Sequence, residues 1–474
     1  MPGWMQELVP IVLLLTAIVL VVSRLPRSGI EHAPAFVRRR FLNWFPVGMT
    51  YAFLYMGRYN LKACEGILFN KAQFSTIYAV GTLTYGFSFL LNGPLADRFG
   101  GKKTILAAAF GALAANIAMG VIALGAVGAD GRVPVADRPA LVTVFSVLYA
   151  VNMYFQSFGA VSIVKVNSAW FHLRERGTFG GIFGVLISLG LYFAFDWSKA
   201  IVRHLPVQWV FFVPAAILGV FFIADLVLVR DTPGEAGHPD FDLGDAGSGD
   251  TGPRLPLLEV AKKMLRNPVI LTIAAVEFCS GYLRNAIMQY YPSYARETHQ
   301  AGHMVASHWG MMLCVAGILG GMFAGVISDR VFGSRRGPVS AVLYGVMIAG
   351  ALTMFVTLVG GAVGWVVVLM SLAIIGVHGM LSGTASMDFG GKKNTGVAVG
   401  IIDGFVYLGT AAEAVVLGRI LPKDHLAHDP TRWWTWPAAI LPVAVLGFFL
   451  TLRLWNARPQ SSAAKVAVQA AIAR

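Results

Sequence analysis

GPLADRFGGKKT (residues 93–104) and GVISDRVFGSRRGP (residues 325–338) read alike: a glycine, three residues, Asp-Arg, then glycine and paired basic residues. Each joins two long apolar runs. One such match would carry little weight, but two at equivalent junctions predict a chain made of two repeated halves. The chemistry suits a short turn at a membrane surface. Gly93 and Gly325 would allow close helix approach, and Asp97 and Asp329 would accept hydrogen bonds from helix N-termini. Arg98, Arg330 and the basic pairs would hold the turn against an anionic leaflet.

Working outward, apolar runs recur along almost the whole of the 474 residues, which are 56% hydrophobic and 13% charged. A soluble domain carries about 25% charge, and roughly 20 helical residues cross a bilayer core. The expected spans are 41–63, 74–96, 103–127, 139–166, 176–203 and 207–229, then 268–295, 305–328, 337–359, 363–388, 396–421 and 434–456. The fold class is therefore an all-α polytopic membrane protein of two six-helix bundles. A further apolar segment at 8–22 precedes them; Arg24 and Arg27 on its C-terminal side argue for an uncleaved helix with its N-terminus outside, and an interfacial helix is the alternative. The organisation expected is an N-terminal helix and basic linker (1–40), a first bundle (41–229), a linker rich in Gly, Pro and Asp (230–267), a second bundle (268–456) and a tail (457–474). The linker cannot bury a core, and it ends in a short amphipathic helix near 255–266.

The formal charge of +13 reports topology rather than nucleic-acid binding. Of 37 Lys and Arg, 24 fall in alternate segments starting with 24–40 and including the linker and tail, whereas the intervening loops hold seven: Lys71, Arg132, Arg138, Arg203, Arg296, Lys423 and Arg432. The positive-inside rule places the first set, with the linker and C-terminus, in the cytoplasm. Cys64, Cys279 and Cys314 have neither disulfide nor metal-ligand spacing and read as packing residues. No cofactor or metal site is read, and no P-loop: GGKK and GGKKNTG lack its upstream glycine spacing.

Two arginines sit inside spans, at equivalent places in the two halves: Arg58 lies 39 residues before Asp97 and Arg284 lies 45 before Asp329. A charge at the bilayer centre costs at least about 2.5 kcal/mol, so such residues usually face a polar cavity. Two guanidinium groups in a repeated fold favour a planar anion such as phosphate or carboxylate at the repeat interface. The alternative is that each pairs with a carboxylate, Glu277, Asp403 or Glu413, and only holds its bundle together. Tyr51, Tyr55, Arg58 and Lys62 fall on one helical face. Lys62 and Lys165 could instead snorkel to the interface.

These segments resemble the organophosphate:phosphate antiporters of the major facilitator superfamily, the group of glycerol-3-phosphate and hexose-phosphate transporters. The resemblance runs from about Trp44 to Leu450 outside the linker. It is carried by YMGRYNLKA (55–63), TYGFSFLLNGPLADR (84–98), YFQSFGAVSIVK (154–165), AWFHLRERGT (169–178), RDTPGEAG (230–237), YLRNAIMQYYPSY (282–294) and IGVHGMLSGTASMDFGGKKNTGVAVGIIDGFVYLGT (375–410). It implies two pseudo-symmetric bundles around a cavity that opens to each side in turn. Arg58 and Arg284 match the pair that grips the substrate phosphate; Tyr51, Tyr55, Tyr85, Gln156 and Tyr407 match cavity positions, and His378 matches the histidine of the tenth helix.

Departures from that pattern are Tyr59 and Phe89, each where a basic residue is usual, Ala169 where histidine is usual, and Gln289 and Cys314 in place of acidic residues. Lys62, Lys165, Asp403 and Glu413 are the charges that could compensate. The expectation is thus a bacterial inner-membrane transporter of a small organic anion, driven by phosphate exchange or by protons through His378, Asp403 or Glu413. Two alternatives accompany it. One is a membrane sensor of a sugar phosphate that signals to a partner protein; the other is a transporter of a zwitterionic phosphorylated amine, whose cationic group Asp403 and Glu413 would receive.

Overall fold

The computed structural model describes residues 32–128, 133–134, 137–172, 175–240, 265–333, 335–385 and 395–457, with isolated positions within 12–19 and 259–262. The segment at 8–22, most of 255–266 and the tail beyond 457 lie outside the described residues.

The first half folds into α1 (Pro34–Tyr59), α2 (Lys71–Phe99), α3 (Gly101–Ala126), α4 (Arg138–Ser168), α5 (Arg176–Tyr192), α6 (Ser198–His204) and α7 (Trp209–Leu228). A π-helical turn, Phe193–Trp197, joins α5 to α6, so these form one continuous rod. The second half contains α8 (Pro268–Met288), α9 (Tyr290–Glu297), α10 (Met304–Ser307), α11 (Trp309–Arg330), α12 (Arg336–Thr357), α13 (Val363–His378), α14 (Thr395–Ile420) and α15 (Thr435–Arg453). Among the described residues ten helices are long and apolar enough to cross a membrane. The other two expected spans are α1 and α8, which carry Arg58 and Arg284 together with further polar residues.

Local chemistry sets several of these ends. At the start of α2, Asn70 Oδ1 accepts from the Gln73 amide and Gln73 Oε1 accepts from the Asn70 amide, both at 2.9 Å, satisfying two orphan donors reciprocally. At the start of α8, Pro268 occupies the first turn and Asn267 Oδ1 accepts from the Val269 amide at 3.0 Å.

By contact the chain divides into two compact units, residues 1–250 with 295–318, and residues 251–294 with 319–474. In lipid the hydrophobic effect cannot drive helices together, so small residues that let backbones approach take over. In the first unit α2 meets α4 where Gly81 leaves room for the Tyr149 ring; a Cβ there would lie 2.2 Å from it. In the second unit α8 and α14 interlock at two glycines. A Cβ on Gly281 would stand 1.9 Å from the Val406 carbonyl oxygen, and one on Gly409 would stand 2.0 Å from that of Phe278. This double contact fixes the register of Arg284 against Asp403 and Tyr407.

The turns that carry the Asp-Arg motifs are built differently from the sequence expectation. Among the described residues a Cβ on Gly325, in α11, would meet nothing within 4 Å, so that glycine mediates no close approach there. The side chains of Asp97 and Asp329 lie outside the described residues. The carboxylate found at the start of α3 is Asp231, whose Oδ1 accepts from the Lys102 amide at 2.8 Å. Gly100 has φ +87°, and a side chain there would collide with Asp231 Oδ2. The RDTPGEAG segment is thus tied to the GGKK turn.

Candidate substrate-binding site

In the first unit the site grows from the last turns of α1. Tyr51, Tyr55 and Tyr59 recur every four residues, their rings 5.2 and 5.7 Å apart in edge contacts. Arg58 is fully buried beside this row. Its Cζ lies 4.6 Å from the Tyr55 ring centre and 4.5 Å from that of Tyr85, flanked by two aromatic faces. Its Nε donates to Gln156 Oε1 and its Nη2 to the Tyr85 hydroxyl, both at 3.0 Å. Both acceptors are neutral.

Behind this first layer lies a polar ladder of which sequence reading named only Gln156. Gln156 Nε2 donates to Asn152 Oδ1 at 3.0 Å, and Asn152 Nδ2 donates to the Gly57 carbonyl at 3.0 Å. Asn116 Nδ2 donates to the same carbonyl at 3.3 Å, and Asn116 Oδ1 accepts from Asn60 Nδ2 at 2.9 Å. The Tyr149 hydroxyl donates to the Arg58 carbonyl at 2.8 Å. Tyr149, Asn152 and Gln156 stand on one face of α4 at spacings of three and four. That spacing was a usable signal: a polar stripe on an apolar helix needs buried partners. Phe89, where the resemblance expects a basic residue, packs its ring 4.9 Å from Tyr85.

Lys62 departs from the expected face. α1 ends at Tyr59 and the chain tightens into a 3-10 turn, Asn60–Cys64, so Lys62 no longer continues the Tyr51–Tyr55–Arg58 stripe. Its Nζ instead meets Glu65 Oε2 at 2.5 Å, over the Phe74 ring. Glu65 is buried, and its other oxygen accepts from Arg296 Nη2 at 2.6 Å. Arg296 Nη2 also approaches Glu297 Oε1 at 3.3 Å, and Glu297 Oε2 accepts from Lys71 Nζ at 2.6 Å. Burial alone would raise the Glu65 carboxyl; the Lys62 and Arg296 cations outweigh it and hold the group down at about 2. Lys165 is partly buried near the end of α4.

The second unit gathers a different set. His378, at the end of α13, places Nδ1 2.9 Å from Oε2 of the buried Glu277 on α8. A π-helical turn, Gly379–Ala385, follows at once, and there Ser382 donates to Asp403 of α14. Asp403 lies within electrostatic range of His378, Glu277 and Arg284. Tyr407 stands one turn beyond Asp403 and is buried, as is Glu413. Asn285, next to Arg284, donates to Thr410 Oγ1 at 2.8 Å and so anchors the α8 backbone to α14. Four of the expected residues, His378, Asp403, Arg284 and Glu277, thus fall in one cluster, and the structure adds Ser382 to it. Arg98 and Arg330 are exposed at the ends of α2 and α11. Among the described residues no group of His, Cys, Asp and Glu could hold a metal ion.

Bundles of membrane-crossing helices with buried cationic and acidic clusters mark a polytopic membrane protein. The D-xylose-proton symporter has such a fold, with a TM-score of 0.65, 13% identity and coverage of 90% of this chain and 98% of that one. Residues 39–412 match the Major Facilitator Superfamily, and the chain belongs to that family. It is a multi-pass membrane protein. Among curated proteins it is similar to the glycerol-3-phosphate transporter of Bacillus subtilis, 25% identical over 85% of this chain and 90% of the relative. It is 22% identical to the "probable hexose phosphate transport protein" of Chlamydia trachomatis, over 90% and 94%. It is 24% identical to the membrane sensor protein UhpC of Salmonella typhimurium, over 87% and 90%. Fold and family are those of transporters, not of enzymes.

Proposed function

We propose that this protein is a secondary transporter that moves a small organic phosphate across a bacterial inner membrane by alternating access, with its linker and C-terminus in the cytoplasm. The reading rests on one observation above others: Arg58 is wholly buried, held between two tyrosine rings and bonded to neutral acceptors. A guanidinium so placed presents a planar fork that suits a doubly hydrogen-bonding anion. Arg284 is its counterpart in the second half, with Tyr51, Tyr55, Tyr85, Gln156 and Tyr407 supplying further polar contacts. The relatives support the cargo class, since they are named for glycerol-3-phosphate and hexose phosphate.

Binding neutralises the arginine charge, and alternating access then presents the cargo to the other side. Inorganic phosphate returning in exchange would complete the cycle. The Glu277–His378 pair and Asp403 supply a second driving route, a proton taken up or released as the cargo moves. The sensor reading with its signalling partner is less favoured, because the glycerol-3-phosphate and hexose phosphate relatives are transport proteins. A zwitterionic phosphorylated amine remains the second cargo reading, with Asp403 and Glu413 receiving its cationic group; it is favoured by Asp403 lying within electrostatic range of Arg284.

Proteoliposomes loaded with phosphate test the proposal. Counterflow of labelled glycerol-3-phosphate or hexose phosphate is expected; saturable binding without flux would instead mark a sensor. Preference for a phosphorylated amine over its uncharged analogue would select the second cargo.

A further inference from the structure

The cytoplasm-assigned ends of α1 and α7 frame a groove of about 280 Å³ lined by Arg39, Leu42, Val227, Leu228, Arg230 and Glu235. Three cations converge on the last carbonyls of α7: Lys102 Nζ donates to Leu226, Arg39 Nη2 to Leu228, and Arg230 Nη1 to Val227 and Val229, at 2.7 to 3.0 Å. Capping a helix C-terminus with cations is a sufficient structural role for one or two of them. It does not use up their donors. Among the described residues neither Arg39 nor Arg230 is in a salt bridge, and Arg39 Nη1 is buried without a hydrogen-bond partner. Glu235, the one carboxylate on the groove, turns its Oε2 to the Asp231 amide at 3.0 Å. Arg39 is steadied from the other side by Trp170, 5.3 Å from Cζ to ring centre.

We infer that this groove binds the phosphate of an anionic phospholipid, with Arg39 and Arg230 as its donors. A buried unmet donor is destabilising, and a phosphate oxygen would satisfy it. The surroundings select a lipid over a dissolved phosphate. Leu42 is 37% exposed and Val227 60%, and Phe41, Phe45 and Leu226 beside them are also exposed, an apolar strip along which acyl chains can lie. Basic pockets between helices on the cytoplasmic side are where acidic headgroups are held. The site is separate from the Arg58 cluster, and it would tie the α1–α7 pair to the composition of the inner leaflet.

The full-length protein in detergent tests this by thermal shift against phosphatidylglycerol, phosphatidylethanolamine and inorganic phosphate. Phosphatidylglycerol is expected to raise the melting temperature at lower concentration than phosphatidylethanolamine, and phosphate alone is expected to do nothing that Arg39 controls. Arg39→Gln and Arg230→Gln are each expected to raise the half-saturating phosphatidylglycerol concentration roughly tenfold, as loss of a charged hydrogen bond implies. An unchanged response in the variants overturns the inference, and so does a shift with phosphate alone that Arg39→Gln abolishes, which would mark a solute site. If neither variant folds, the wild type still decides, because equal response to the two lipids also overturns it.

Discussion

Arg296 donates to the buried Glu65 carboxylate at 2.6 Å, joining positions 231 residues apart. Lys62 closes on the other oxygen, so one carboxylate holds two cations. Removing one member of such a buried set strands the others, which typically costs about 3–5 kcal/mol. Glu65→Gln is therefore expected to lower the melting temperature markedly, and thermal unfolding of the purified variant checks it.

The same carboxylate sets a pH dependence. Its folded-state value of about 2 lies below the ordinary 4.5, so the folded state binds its proton less readily than the unfolded chain. The stabilisation is complete above pH 4.5 and is lost as pH falls toward 2. The stability gap between wild type and Glu65→Gln should narrow steadily below pH 4.5; a gap that stayed constant down to pH 3 would contradict the assignment.

Arg58→Lys keeps a cation but loses the planar fork that meets Gln156 and Tyr85 at once. Counterflow in proteoliposomes is expected to fall by about 100-fold, the equivalent of the roughly 1.5–3 kcal/mol of a charged hydrogen bond. Wild-type rate and affinity in this variant would remove Arg58 from the substrate site. Gln156→Ala should give a smaller loss of the same kind.

Asp231→Ala removes the acceptor at the start of α3. Loss of an N-terminal cap costs about 1 kcal/mol. A fall in melting temperature of a few degrees with unchanged substrate affinity is the expected result, measured by thermal shift with and without glycerol-3-phosphate.

Gly281→Ala would push a Cβ to 1.9 Å from the Val406 carbonyl oxygen. Backbone cannot yield as a flexible side chain can, so α8 and α14 must separate, at a cost of about 1–3 kcal/mol or more. Expression as a monodisperse protein should drop sharply, whereas Gly325→Ala, with open space around it among the described residues, should express as wild type.

Much of this molecule could be read from the chain. The helices follow from unbroken apolar runs, because a backbone in lipid must satisfy its own hydrogen bonds and so becomes helix. The buried position of Arg58 followed from a charge in such a run. The resemblance placed Gln156 and Tyr85 at cavity positions, but not their bonds to Arg58. Gln156, and Asn152 behind it, are separated from Arg58 by more than 90 residues, and only the docking of α4 on α1 brings them together. Lys62 illustrates the limit more sharply: helical spacing put it on the Arg58 face, but a 3-10 turn beginning one residue after Tyr59 rotated it toward Glu65. The Asp-Arg motifs located the turns, yet the carboxylate that caps α3 came from the start of the linker.

Local rules of hydrophobic length, charge placement and repetition depend only on neighbouring residues, so the sequence by itself determined the membrane class, the spans and the paired arginines. Which side chains meet across helices depends on where glycines allow close approach and where a helix tightens or ends. Those are properties of packed backbones, and the tertiary structure alone decided them: Glu277 beside His378, Asp231 at the start of α3, and Glu65 between Lys62 and Arg296.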